Sequence, residues 1–284
     1  MGRSGGLKMR EAAIKAAWEE NGFVVIPRLF DAPRIRELQV ICDDVLAQWI
    51  EESPASHDAA NSTNMAFLTE PRYFIKHPER LRLMLETITD EKIFKALAEI
   101  IDGEPLFHNT QYFFNPATAT RAGDWHRDQQ FDAPDEETER ARMLTHTGVH
   151  VHIAFLPDDN LEFVPGTHAR WDTPVELEIR RGFDGRSKNS DAMPGARRLA
   201  LRPGDAAFFS AWGIHRGRYD ARTPRRTFDI IYASENPCDW YTPPPTCFLQ
   251  PGLLDRFDER SRRFFQRFIE AYRHRWARGE GLNP

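Results

Sequence analysis

A chain of 284 residues has room for one large domain or two small ones and can bury a sizeable core. At 40% hydrophobic and 29% charged residues it has a globular balance, and with no apolar run of about 18 residues no membrane span is expected. The net charge of -5 sets up no global basic field, so nucleic acid is not expected as a partner.

Residues 10–20 read as a helix stopped by Asn21-Gly22. Phe23 to Pro27 form a short buried strand. Asp31 can N-cap a helix of about 20 residues, with Ile35, Leu38, Ile41, Val45, Leu46 and Trp49 at helical spacing. Residues 53–64, rich in Ser, Ala and Asn, read as a mobile loop, and two further helices cover 78–88 and 91–101. After Gly103 the pattern changes to short apolar or alternating runs at 106–114, 148–155, 161–164, 199–201, 206–210 and 227–233. Asn115-Pro116, Pro157-Asp158-Asp159-Asn160, Pro165-Gly166 and Pro203-Gly204-Asp205 punctuate them. A last helix, 253–277, carries Phe265, Phe268, Tyr272 and Trp276 on one face, and its arginines read as a solvated face.

With no internal repeat and no low-complexity linker, residues 1–284 read as one domain, mainly β with flanking helices. N-terminal helices within 10–101 pack on a jelly-roll core at 103–234, and the helix at 253–277 closes it. Cys42, Cys238 and Cys247 are odd in number and widely spread, and the opening Met1-Gly2-Arg3-Ser4-Gly5-Gly6 lacks the apolar stretch of a signal peptide. Both fit a cytoplasmic location, and the absence of a Cys-x-x-Cys pair argues against a thiolate zinc site.

The candidate chemistry starts at His126-x-Asp128. With 10 histidines and 43 acidic residues, a His-x-acid pair is expected by chance, and two occur. His77-Pro78-Glu79 reads as a helix start, with Pro78 in the first turn. His126-x-Asp128 follows Trp125 and a long turn, Asn115 to Asp124, that returns from a strand. On a strand, alternation puts both side chains on one face. A second histidine nearby would complete a facial triad, which suits non-haem Fe(II) and leaves positions for co-substrate and oxygen. His150, His152, His168 and His215 are the candidates. His215 is the best, emerging at the far end of the apolar strand fed by the Pro203-Gly204-Asp205 turn.

Eleven residues on, Arg226 heads a strand on which alternation groups Arg226, Phe228, Ile230 and Tyr232. An arginine facing an apolar interior needs an anion, and a dicarboxylate would supply one. Arg225 competes for this role; spacing and strand face favour Arg226. His150 and His152 share the face opposite Val149, Val151 and Ile153, either as a polar patch lining a pocket or as a solvated strand face. The 53–66 loop and the 181–198 segment, with Gly182, Gly185 and Gly195, are candidate lids.

The ordered set Trp125-His126-x-Asp128, Phe163-Val164-Pro165-Gly166-Thr167-His168, and Pro203-Gly204-Asp205 through His215 to Arg226 resembles the phytanoyl-CoA dioxygenase family, from about Gly22 to Ser234. The resemblance implies a double-stranded β-helix with Fe(II) on His126, Asp128 and His215 and the distal carboxylate of 2-oxoglutarate on Arg226. It also implies cofactor contacts from Asn109, standing with Gln111 where the family has Gln, and from His152, where the family often has Trp. His168 would make a structural hydrogen bond. Gly217 and the Tyr219-Asp220 region depart from the Ser and Asn that many members carry.

Asp128, retained where related halogenases have a small residue, implies hydroxylation or another oxidation without halide. The expected enzyme oxidises a small organic substrate with molecular oxygen and releases succinate and CO2. A jelly-roll metal-binding protein and a cupin-type metalloenzyme without 2-oxoglutarate are the alternatives, and Arg226 speaks against both. Substrate and oligomeric state are not legible.

Overall fold

The computed structural model describes residues 2–131, 133–234, 247–248 and 250–277, with side chains from residue 11 to residue 273. Cys238 and the Trp276 side chain lie outside the described residues. The first helix, α1 (Gly2–Asn21), stops where expected. Gly22 takes φ +76°, and a Cβ there would lie 2.4 Å from the His168 ring, so both backbone sign and space require glycine. Strand β1 (Phe23–Ile26) leads to α2 (Ala32–Glu52), capped by Asp31, which accepts from the Arg34 N–H at 3.0 Å. Helices α3 (Pro78–Ile88) and α4 (Glu91–Leu97) follow, the second shorter than its apolar pattern predicts. The segment expected as a mobile loop ends in a strand, β2 (Asn64–Ala66).

The β region comprises β3 (Leu106–Phe114), β4 (Arg121–Ala122), β5 (Gly148–Ala154), β6 (Asp158–Phe163), β7 (Arg197–Leu201), β8 (Ala206–Ser210), β9 (His215–Tyr219) and β10 (Arg226–Ala233). Two helices interrupt it, α5 (Glu136–Met143) and α6 (Pro174–Arg181). The last helix, α7 (Glu259–Ala277), begins later than expected, after a short 3-10 turn at Leu254–Arg256. Its Phe265, Phe268 and Tyr272 are buried, and Phe268 packs edge-on against Phe107 of β3 at 5.0 Å. Among the described residues no helix is long and apolar enough to cross a membrane.

All strand pairs are antiparallel. A six-stranded sheet runs β1-β8-β5-β10-β3-β2 and a four-stranded sheet runs β4-β9-β6-β7, the two layers of the jelly-roll core. Both faces of the larger sheet are covered. Val149, Val151 and Ile153 of β5, Phe208 of β8, and Phe228, Ile230 and Tyr232 of β10 pack outward on the helices. Ala207 and Phe209 pack inward with Leu161, Phe163, Leu199 and Leu201 of the smaller sheet.

This double burial corrects one expectation. Alternation does group Arg226 with Phe228, Ile230 and Tyr232, but that face meets the helices. Arg226 pairs there with Asp43 of α2, its Nε 2.6 Å from Oδ1. The inner face of β10 carries Thr227 and Asp229 instead, with Arg225 just before the strand lining the same cavity as His152, and with His152 and His150 of β5 directly across from Asp229 and Ile231.

Candidate metal and co-substrate site

His126 and His215 are joined by a single antiparallel bridge, each backbone N–H donating to the other's carbonyl at 2.9 Å. The expected strand through His126-x-Asp128 does not continue. Asp128 opens a 3-10 turn, Asp128–Phe131, and its N–H donates to Ala211 O at 3.0 Å. The turn, not strand alternation, brings the carboxylate round to the imidazoles. His215 likewise opens β9 after a turn at 211–214 rather than ending β8. That turn needs Gly213: a Cβ there would lie 1.9 Å from the Phe163 ring, which stacks on His215.

The three side chains converge. His126 Nε2 lies 3.5 Å from Asp128 Oδ1 and His215 Nε2 lies 3.6 Å from Oδ2, and the ligand atoms of all three lie within 4.8 Å of one another. The other ring nitrogens face backbone carbonyls, His126 Nδ1 to Asp124 O at 2.7 Å and His215 Nδ1 to Gly213 O at 3.0 Å. A carbonyl only accepts, so each Nδ1 carries the hydrogen and each Nε2 can turn a lone pair toward the carboxylate. Asp128 Oδ2 has no well-directed hydrogen bond, although His150 Nε2 is 3.1 Å away. Two lone pairs and a buried carboxylate aimed at one point call for a cation, and two imidazoles with one carboxylate suit Fe(II).

The electrostatic surroundings of these groups point the same way. Burial opposes charge on His126, but Asp128 outweighs it and raises the imidazole above its ordinary value. Burial pushes His215 down to about 4, which keeps it an unprotonated ligand. Burial would lift Asp128, yet His215 and His150 hold it well below the carboxylate range. A metal at these donor atoms would compete with a proton for His126 Nε2.

A cavity of about 220 Å³ is lined by the three candidate ligands and also by His150, His152 and Arg225. Arg225 is 1% exposed. Its Nε donates to Asp158 Oδ2 at 3.0 Å and its Nη2 lies 3.1 Å from His152 Nε2, while its guanidinium sits over Phe113 and Tyr219. Nη1 is buried without a hydrogen-bond partner. An unspent donor on a buried cation beside a cavity is an anion site. Of the two arginines it is Arg225, not Arg226, that lines the cavity.

The remaining expectations divide. His152 lines the cavity, and the polar face of β5 is a buried patch rather than a solvated one. Asn109 lies on the inner face of β3, accepts from the Thr110 N–H and has an unpartnered Nδ2, but Gln111 rather than Asn109 lines the cavity, held by Asn64 Nδ2 at 3.3 Å. His168 makes no structural hydrogen bond through Nδ1; its ring packs edge-on to Trp18. Of the two expected lids, the first contributes Asn64 to the cavity wall. The 181–198 segment contributes nothing to it: Trp125 Nε1 donates to Ser190 O at 2.8 Å and Arg216 Nη1 to Asn189 O at 2.6 Å, so the segment buttresses the residues beside two ligands.

Sequence reasoning missed Asp229, which takes His150 Nδ1 at 2.6 Å and His152 Nδ1 at 3.2 Å. It also missed the buried anchorage of Arg127, whose guanidinium bonds Asp172, Thr167 O and Trp212 O and pins the metal turn. Alternation with Arg225 was the available signal for Asp229; Arg127 has none.

The family model for phytanoyl-CoA dioxygenase matches residues 18–225. Among solved structures, the non-heme alpha-ketoglutarate-dependent epimerase SnoN from nogalamycin biosynthesis superposes with TM-score 0.58 at 19% identity, over 81% of this chain and 82% of that one. EctD from S. alaskensis, solved with 2-oxoglutarate and 5-hydroxyectoine, gives TM-score 0.55 at 17% identity over 78% and 76%. The carbocyclase SnoK, also alpha-ketoglutarate dependent, gives 0.55 at 19% over 87% and 90%. At these identities the likeness is one of fold. No curated protein matches the chain. The family match spans the metal turn, β9 and Arg225, and on it the chain belongs to the phytanoyl-CoA dioxygenase family, whose members depend on Fe(II) and 2-oxoglutarate.

Proposed function

We propose that this protein is an Fe(II)- and 2-oxoglutarate-dependent oxygenase that hydroxylates, or otherwise oxidises, a C–H bond of a small organic substrate, consuming molecular oxygen and releasing succinate and CO2. One observation carries the reading: a single buried cavity joins the His126, Asp128 and His215 donor set to a guanidinium with an unspent N–H. When bound, iron with 2-oxoglutarate supplies oxygen activation.

The chain's residues do the rest. His126, Asp128 and His215 hold the metal, and the carbonyls of Asp124 and Gly213 fix the two rings. Arg225 takes the distal carboxylate of the co-substrate, and Asp158 and His152 hold the guanidinium in place. Phe113, Leu161 and Phe209 on the cavity wall keep water from the reacting atoms. The carboxylate of Asp128 occupies the position a halide would need, which supports oxidation over halogenation.

Anaerobic titration of the protein with Fe(II) and 2-oxoglutarate tests the reading. A visible metal-to-ligand charge-transfer band is expected in the wild type and lost in His126→Ala; a wild type without the band refutes it. A succinate-release screen over carboxylic acids, amino-acid derivatives and acyl-CoA esters then addresses the substrate.

A further inference from the structure

Asp229 lies on the inner face of β10, opposite His152 of β5 and Gln111 of β3, and is fully buried. Its oxygens are taken separately, Oδ2 by His150 Nδ1 at 2.6 Å and Oδ1 by His152 Nδ1 at 3.2 Å. Burial works against its charge, and the two imidazoles override burial and hold it ionised. An ionised carboxylate only accepts, so the His152 hydrogen sits on Nδ1 and Nε2 presents a lone pair.

That lone pair faces Arg225 Nη2, a group that only donates, at 3.1 Å. The other polar atom near Nε2, Asp158 Oδ2, is 3.6 Å away and already engaged by Arg225 Nε at 3.0 Å and Thr227 Oγ1 at 2.6 Å. Two of the three guanidinium nitrogens are thereby committed, and Nη1, on a residue that lines the cavity, has no partner.

We propose that Asp229 is a positioning residue: by fixing the tautomer of His152 it makes that ring an acceptor for Arg225, and so determines which guanidinium N–H is offered to an anionic ligand. The proposal rests on the reading of Arg225 as the 2-oxoglutarate site. Replacing Asp229 by Asn removes the requirement. The amide can still accept from Nδ1 through its oxygen or donate to it through its nitrogen, and in the second arrangement the hydrogen moves to Nε2 and two donors face each other across the His152–Arg225 contact.

Nitrogen-15 NMR of histidine-labelled, metal-free protein reads the tautomer directly. His152 is expected with the hydrogen on Nδ1 in the wild type and with a measurable Nε2–H population in Asp229→Asn. Calorimetric titration of the Mn(II)-loaded protein with 2-oxoglutarate reads the consequence, roughly tenfold weaker binding in Asp229→Asn. In a His152→Gln background the glutamine oxygen accepts from Arg225 whatever residue 229 is, so adding Asp229→Asn there should leave the affinity within about twofold. An Nε2–H tautomer in the wild type, or an equal loss in both backgrounds, overturns the proposal. The wild-type spectrum needs no variant to fold. If 2-oxoglutarate fails to bind the wild type at all, the functional reading falls while the spectrum still decides the tautomer.

Discussion

Arg225 and Arg226 are neighbours in sequence and point to opposite faces of one sheet, so replacing each by Ala separates the anion site from its surroundings. Arg225 is buried beside the cavity with a free Nη1. Its contact with a carboxylate there would be a charge-assisted hydrogen bond of about 1.5–3 kcal/mol, equivalent to a roughly 10- to 150-fold rise in the Kd for 2-oxoglutarate. The substitution also strands the buried Asp158, whose carboxyl is held well below its ordinary range, against burial, first by Arg225 and then by His152. Leaving that charge with the N–H donors of Asn160, with Thr227 and with His152, but without its guanidinium, costs about 3–5 kcal/mol of stability. Arg225→Lys keeps the charge but not the fork, and should recover part of the stability and little of the affinity. Arg226 pairs with Asp43 at a partly exposed site, so Arg226→Ala should cost about 0–1 kcal/mol and leave 2-oxoglutarate affinity unchanged. Calorimetric titration of Mn(II)-loaded variants gives the affinities, and denaturant unfolding gives the stabilities. A tenfold loss of co-substrate affinity on Arg226→Ala, with Arg225→Ala unaffected, would refute the assignment of faces.

Gly213→Ala drives a methyl into the Phe163 ring that stacks on His215. It should cost about 1–3 kcal/mol and weaken metal binding roughly tenfold, read by metal titration; unaltered affinity would show that the ring does not position the ligand. Asp158 and Asp229 are both held below the ordinary carboxylate range, so as pH falls the unfolded chain takes up protons on these groups before the folded one. Their stabilisation is therefore present above about pH 3.9 and is lost as pH drops through their native values, and circular dichroism should show a steeper acid transition in the wild type than in Asp229→Asn.

Local signals carried most of the fold. Asn21-Gly22, the Asp31 cap and the apolar runs at 106–114 and 206–210 are recoverable because turns, caps and periodicity act over a few residues. Helix α5, Glu-Glu-Thr-Glu-Arg-Ala-Arg-Met, has almost no apolar periodicity. Besides the Asp135 cap, it is held by the buried Glu139–Arg180 pair, a contact 41 residues apart that no local pattern announces. The three candidate ligands were picked out through a strand geometry that does not exist at Asp128; the structure brings their side chains together by a 3-10 turn instead. Arg226 was preferred over Arg225 for a related reason. Facing inward is usually inferred from being apolar, and on β10 the apolar residues do face a core, the one shared with the helices. Every residue of β5 is buried, and so is every residue of β10 after Arg226. On a strand buried on both faces hydrophobicity no longer distinguishes the two, and the polar stripe is the one that needs an explanation, because buried polar groups must find partners. Arg225, Thr227 and Asp229, set against His150 and His152, form that stripe, and their mutual hydrogen bonds are what make the cavity wall a site rather than a defect in the core.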